Sequence, residues 1–473
     1  MIGRRARHPG LMLVAALAIV TGLPTGGAAS RSTVDDLQAR VRAAAAGETI
    51  TVAPGTYRGP LVIDRPLRLV AAGAVVIEGP GEGDVIDISA PDVTVRGFTI
   101  RGTGESLDRE NAAVVVTAPR VTIEDNRIED ALFGIYLKAA PGSVIRGNRI
   151  GGKDLPEPRR GDAIRLWQSP DCFIEDNEVR DSRDLIMWFS NDVTLRRNRV
   201  SGGRYGMHFM YSSDNVLEDN VLTDNSVGAF LMYSRNLTLR RNVLARNRGP
   251  SGFGIGLKDM DGLVTEDNII IGNRVGVHLD NSPSEFDVVH VWRRNLVAYN
   301  DIGIAFLPNV ERNRFTENTF IDNVEQVAIL GSGTLRKIDF AVDGRGNFWS
   351  DYRGYDLDDD GIGETVYHAD DFFENLIDRS PRMRLFLFSP AQHALEMAAR
   401  AFPVVLPRPK ISDASPLMRM VEPRSQATAS VRRPGSFAGV VLLLAGVACM
   451  APALGRAERR LATAVRSGGS GRR

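Results

Sequence analysis

Apolar residues in this chain come in runs of three to five, alternating with polar ones, and the runs return with a period near 22. An Asn marks the register at Asn126, Asn148, Asn177, Asn198, Asn220, Asn242, Asn268, Asn295 and Asn318, with spacings of 21 to 23 residues and three longer ones of 26 to 29. Two positions after it stand apolar residues throughout (Ile128, Ile150, Val179, Val200, Leu222, Leu244, Ile270, Val297, Phe320), and three positions before it most repeats carry Ile or Leu. Period-two alternation in such short runs predicts strands, and the stretches between them are too brief for helices. A unit of this length holding three short strands is one coil of a solenoid whose neighbouring coils pair in parallel about 4.8 Å apart. The chain is therefore expected to be all-β, a right-handed parallel β-helix with a short N-terminal capping helix, a C-terminal cap and a hydrophobic tail. The Asn would sit at a turn, tolerating left-handed backbone and bonding the Asn above and below.

Two polar rows fix the stacking. Two positions before the Asn the chain reads Glu124, Arg146, Glu175, Arg196, Glu218, Arg240, Glu266, Arg293, and one position before it Asp125, Gly147, Asp176, Arg197, Asp219, Arg241, Asp267, Arg294. Opposite charges directly across a strand pair contribute about 0.2–1 kcal/mol each, and a slip of one coil sets like charges side by side. The rows carry no net sign, so they read as a register code and not as a track for a charged substrate.

The organisation follows from composition shifts. Residues 1–29 have the basic start, apolar stretch and small-residue run of a secretory signal. Residues 30–346 form the β-helix, opened by a capping helix over 32–46, with insertions at 103–112, 151–160 and 281–290 expected to project as loops. Residues 347–402 form a C-terminal cap, 403–436 a Pro-rich linker, 437–455 a transmembrane segment, and 456–473 a basic tail. The 18 residues 437–454 can just span a bilayer and would tether the protein to the inner membrane; a buried helix or a poorly ordered tail is the alternative. There are only two cysteines, Cys172 at an inward position and Cys449 in the tail, so neither a structural disulfide nor a thiolate metal site is expected. With 58 basic and 58 acidic residues, nothing points to nucleic acid.

Chemistry concentrates on the strand that opens each coil. Its third and fifth residues should point outward, giving the rows Tyr136, Arg165, Ile186, His208, Phe230, Gly256, His278 and Lys138, Trp167, Trp188, Met210, Met232, Lys258, Asp280. Two Trp, two Met, a Phe and an Ile on a water-facing strip mark a contact surface, with Trp167, Trp188, Phe230 and Ile186 as its partner-binding residues. Within it an imidazole and two thioethers, His208, Met210 and Met232, form a donor set suited to Cu(I) and poorly suited to Mg²⁺ or Ca²⁺. Spacing alone leaves both readings open, soft-metal site and hydrophobic docking patch. His278 lies three coils from His208 and reads as a surface residue, while His290 falls in a loop and His393 in a helix.

Behind the last coil, Asp356, Asp358, Asp360, the Ile362 carbonyl and Glu364 have the alternate spacing of a calcium loop, although Tyr367 stands where an EF-hand has its bidentate Glu. A structural Ca²⁺ and a self-bonded acidic turn are both compatible with it. A polysaccharide lyase or epimerase on this scaffold would need clustered carboxylates beside a base, and the outward rows offer only Asp280. A metal-free docking scaffold is the third reading.

The run 205–215 (YGMHFMYSSDN), the stretch 346–352 (GNFWSDY) with the acidic loop behind it, and 389–396 (SPAQHALE) together resemble the NosD family of nitrous oxide reductase maturation proteins, over about residues 31–420. The resemblance implies a non-enzymatic periplasmic accessory protein of denitrification. Such a protein works with an ABC transporter membrane subunit and other maturation proteins, and helps supply copper or a sulfur species to the clusters of nitrous oxide reductase. The family pattern stops near Met420, so the apolar tail is a departure from it.

Overall fold

The computed structural model describes residues 34–331, 335–369, 372–401 and 409–424. The repeat closes into a right-handed parallel β-helix in which each coil gives one strand to each of three sheets. These sheets, A, B and C, hold 13, 13 and 12 strands. Helix α1 (Val34–Ala43) buries Leu37 and Val41 against the first coil, and its Gln38 bonds the backbone of Val62 in both directions. It thereby covers apolar surface that the coil cannot hide alone.

The register code operates in sheet A. Glu218 sits between Arg196 and Arg240 on adjacent strands. Arg146 bonds Glu124 at 2.6 Å and Arg196 bonds Glu175 at 2.6 Å. In the neighbouring row Arg197 meets Asp176 at 2.7 Å, Arg241 meets Asp219 at 2.9 Å and Arg294 meets Asp267 at 3.0 Å.

The marker Asn residues are fully buried and stack as a ladder. Asn198 donates its side-chain Nδ2–H to Asn220 Oδ1 and Asn220 repeats this to Asn242, each at 3.0 Å, while the second Nδ2 proton goes to a strand carbonyl. One detail differs from expectation. Left-handed backbone falls one residue earlier, at Asp125, Asp176, Arg197, Asp219, Arg241, Asp267 and Arg294. The Asn must keep its amide inside the corner, so the chain reverses at the residue before it. A second ladder, Asn247 to Asn273 to Asn300 to Asn323, lines the next corner and was not anticipated.

The far end is closed by the cap and by 409–424. The latter falls in the stretch read as a linker, yet it packs on the body. Lys410 is buried against Glu325 (2.7 Å) and Asp378 (2.9 Å), and Asp413 Oδ2 accepts the last rung of the ladder, Asn347, and Trp349 Nε1–H. Ser412–Asp413 pairs antiparallel with Tyr367–His368. Burying Lys410 is tolerable because carboxylates surround it. The signal segment, the apolar segment at 437–455 and the basic tail lie outside the described residues. Among the described residues no helix is long and apolar enough to cross a membrane. His290, expected in a loop, is instead fully buried at the start of the strand His290–Arg293.

Candidate functional site

Each strand of sheet C begins at a corner where coils approach closely. A Cβ on Gly206 would come within 2.6 Å of the Gly228 carbonyl, and Gly228 and Gly254 are equally confined by the coil that follows each. Small residues there set the strand register, and the outward rows align as their spacing predicts. Ile186 pairs with His208 and His208 with Phe230, while Trp167 pairs with Trp188, Trp188 with Met210 and Met210 with Met232. The structure thus brings His208, Met210 and Met232 onto adjacent strands with Ile186, Trp167, Trp188 and Phe230. His278 lies three strands beyond, stacked on Phe253 at 4.2 Å.

The face is less open than a water-facing strip. His208 is 6 % exposed and Ile186 5 %, although neither belongs to the interior core. Tyr205 stands edge-on to the His208 ring at 4.9 Å and Phe230 lies over it at 6.4 Å. Toward the N-terminal coils the insertions fold back instead of projecting, so that Leu107 and Leu155 pack with Phe133, Tyr136 and Trp167. Large side chains set 4.8 Å apart cover one another, which sequence spacing does not show.

Beneath this cover lies a charged cluster. Asp184 occupies the slot that holds Gly134 and Ala163 in the two preceding coils, and a bulge separates its pairing with Tyr205 in the following coil from that of Ile186 with His208. A bulge re-aims side chains. Here the Asp184 carboxylate lies 3.2 Å from His208 Nδ1 and accepts hydrogen bonds from Arg204. Burial alone would raise the Asp184 pKa, but the bonds from His208 and Arg204 outweigh it and hold the carboxyl below its ordinary range. His208 Nε2 is shut off from solvent and has no partner. Next to the pair, burial and then the Asp184 charge push Asp162 up, while Arg165 spans Glu110 (2.9 Å) and Asp162 (3.8 Å). Burial likewise pushes Tyr136 up to about 12. The face therefore carries Asp184, Asp162 and Glu110 besides Asp280, which corrects the reading of Asp280 as its only carboxylate. Asp280 itself pairs with Lys258 at 3.1 Å.

Outside the cover, one aromatic ladder remains open. Phe189 stacks on Tyr211 and Tyr211 on Tyr233, both at 5.1 Å, beside a Trp167–Trp188 edge contact at 5.2 Å. Tyr211 is 47 % exposed. Phe189, Tyr211 and Tyr233 each follow an outward fifth position by one residue, so their recurrence is itself a signal in the sequence.

The acidic loop brings Asp356, Asp358 and Asp360 together, with one oxygen from each within 4.8 Å of the others; Glu364 does not join them. Three of their oxygens accept backbone N–H groups of the loop itself, and Asp356 Oδ1 is left without a partner. Both a hard cation and the self-bonded turn are compatible with this arrangement.

By fold the molecule is a parallel β-helix carrying a closed imidazole site and an open aromatic strip on one sheet. The solved catalytic unit of a thermostable GH87 α-1,3-glucanase from Streptomyces thermodiastaticus shares that fold, at 16 % identity and a TM-score of 0.53 over 70 % of each chain. Residues 149–354 match the family model described as periplasmic copper-binding protein (NosD). The chain is 34 % identical to the probable ABC transporter binding protein NosD of Pseudomonas aeruginosa, over 79 % of this chain and 89 % of the relative. It is 31 % identical to that of Stutzerimonas stutzeri, over 77 % and 86 %. The chain belongs to the NosD family.

Proposed function

We propose that this protein is a non-enzymatic periplasmic accessory factor that takes Cu(I) as cargo at His208, Met210 and Met232 and docks its client along Trp167, Trp188 and the adjoining aromatic ladder. It would act with an ABC transporter membrane subunit and other maturation proteins in building the copper clusters of nitrous oxide reductase. The observation that carries the reading is the buried, unpartnered Nε2 of His208 on a strand that also carries Met210, which aligns with Met232 on the next strand. A free imidazole lone pair on a face that also carries thioethers suits a soft cation. The family's description as copper-binding and its relatives' names as transporter-binding proteins support it. Competition for Cu(I) against a soluble chelator tests it. The wild type should outbind the His208→Ala, Met210→Ala, Met232→Ala variant, and equal affinity would defeat the assignment.

The Asp162, Asp184, Arg204 and His208 cluster is the observation that favours the second reading, a lyase or epimerase acting on an acidic polysaccharide. Its acid and base groups are sealed from a polymer by Tyr205 and Phe230, which weighs against it. Appearance of ultraviolet-absorbing double bonds from a polyuronate would revive it.

A further inference from the structure

We propose that Asp184, clamped by Arg204, is a positioning residue that fixes His208 as its Nδ1–H tautomer and so keeps the Nε2 lone pair available for the cargo; this rests on the copper reading above. The argument begins with what each atom can do. An ionised carboxylate only accepts hydrogen bonds, so the 3.2 Å contact between Asp184 Oδ2 and His208 Nδ1 requires the proton to be on Nδ1. In a neutral ring the other nitrogen is then an acceptor, and Nε2 is the atom buried without a partner.

The carboxylate is itself held from several sides. Arg204 Nε donates to Asp184 Oδ1 at 3.0 Å, its Nη2 to Oδ2, and the Tyr205 backbone N–H reaches Oδ1 at 3.3 Å. The Arg204 guanidinium lies 4.3 Å over the Tyr205 ring, and that ring stands edge-on to His208. Carboxylate, guanidinium, phenol ring and imidazole form a closed circuit that leaves Asp184 and His208 few alternative orientations. The two preceding coils fill this slot with Gly134 and Ala163, so stacking on that side does not call for a carboxylate. Its bulge and its partners all serve to aim it at the imidazole. Carboxylates that orient a ligating His typically contribute 10–100-fold in metal affinity.

Two readouts on the full chain test this. In the metal-free protein, long-range ¹H–¹⁵N correlation spectra should show His208 as the Nδ1–H tautomer, and Asp184→Asn should abolish that preference. A wild-type His208 in the Nε2–H form would overturn the proposal whatever the variants do. Cu(I) competition should show a 10–100-fold weaker affinity for Asp184→Asn, with Arg204→Gln displaced in the same direction. An unchanged affinity in Asp184→Asn alongside a lost one in His208→Ala would overturn the positioning role and leave the copper site standing. An unchanged affinity in both would remove the copper site and the positioning role with it. Should Asp184→Asn fail to fold, the wild-type tautomer and the Arg204→Gln affinity still decide.

Discussion

Replacing Asn220 by Ala measures what the ladder contributes. Four buried hydrogen bonds are lost: Asn220 Oδ1 no longer accepts from the backbone N–H and Nδ2–H of Asn198 (both 3.0 Å), and Nδ2–H no longer reaches Leu195 O (2.9 Å) or Asn242 Oδ1 (3.0 Å). Asn198 Nδ2 keeps the Ile174 carbonyl at 2.7 Å, but its backbone N–H has no replacement partner and no access to water. At a net 0.5–1.5 kcal/mol per bond, with a further 1–3 kcal/mol for the orphaned donor, the loss is about 3–9 kcal/mol. Urea unfolding followed by tryptophan fluorescence gives this directly as a lower midpoint at unchanged slope. Asn220→Asp should also destabilise, since it keeps the acceptors, loses both donated bonds and buries a charge. A loss under about 1 kcal/mol for Asn220→Ala would refute the view that the ladder is a principal restraint between coils.

Other consequences are as direct. Glu218→Arg places a cation between Arg196 and Arg240 and should cost about 1–2 kcal/mol, relieved by high salt; salt-independent destabilisation would refute the register code. Burial pushes His290 down to about 4, so between pH 6.5 and 4 the unfolded chain binds a proton that the folded one does not. Stability should therefore fall by about 3 kcal/mol as pH drops through that window, and His290→Gln should flatten the profile seen in denaturation midpoints. Millimolar Ca²⁺ should raise the melting temperature of wild type but not of Asp358→Asn, and identical melting with chelator would dismiss a calcium loop at Asp356, Asp358 and Asp360.

Much of this was readable from the chain because a solenoid repeats its demands. A ladder needs Asn at the same place in every coil, and charge rows must alternate to stack, so Asn220 and Glu218 disclose the register. Once it is known, His208 falls beside Ile186 and Phe230 without further information. Local spacing is blind to closure over distance. The burial of His208 depends on Tyr205 and Phe230 from the corner and the next coil, and the folding back of Leu107 and Leu155 depends on an apolar seat that only stacking creates. Asp184 was hidden by one residue, since the bulge that aims it appears only when Tyr205 and His208 are counted against Asp184 and Ile186. Lys410 reaches Glu325 across 85 residues, and its Pro-rich surroundings read as a connector.

X-ray absorption at the copper edge, on the full chain loaded with one equivalent of Cu(I), tests the central claim most directly. The account predicts a first shell dominated by thioether sulfur with a single imidazole nitrogen, losing sulfur in Met210→Ala and Met232→Ala and nitrogen in His208→Ala. A shell of nitrogen and oxygen alone, or one that none of these substitutions alters, would contradict it.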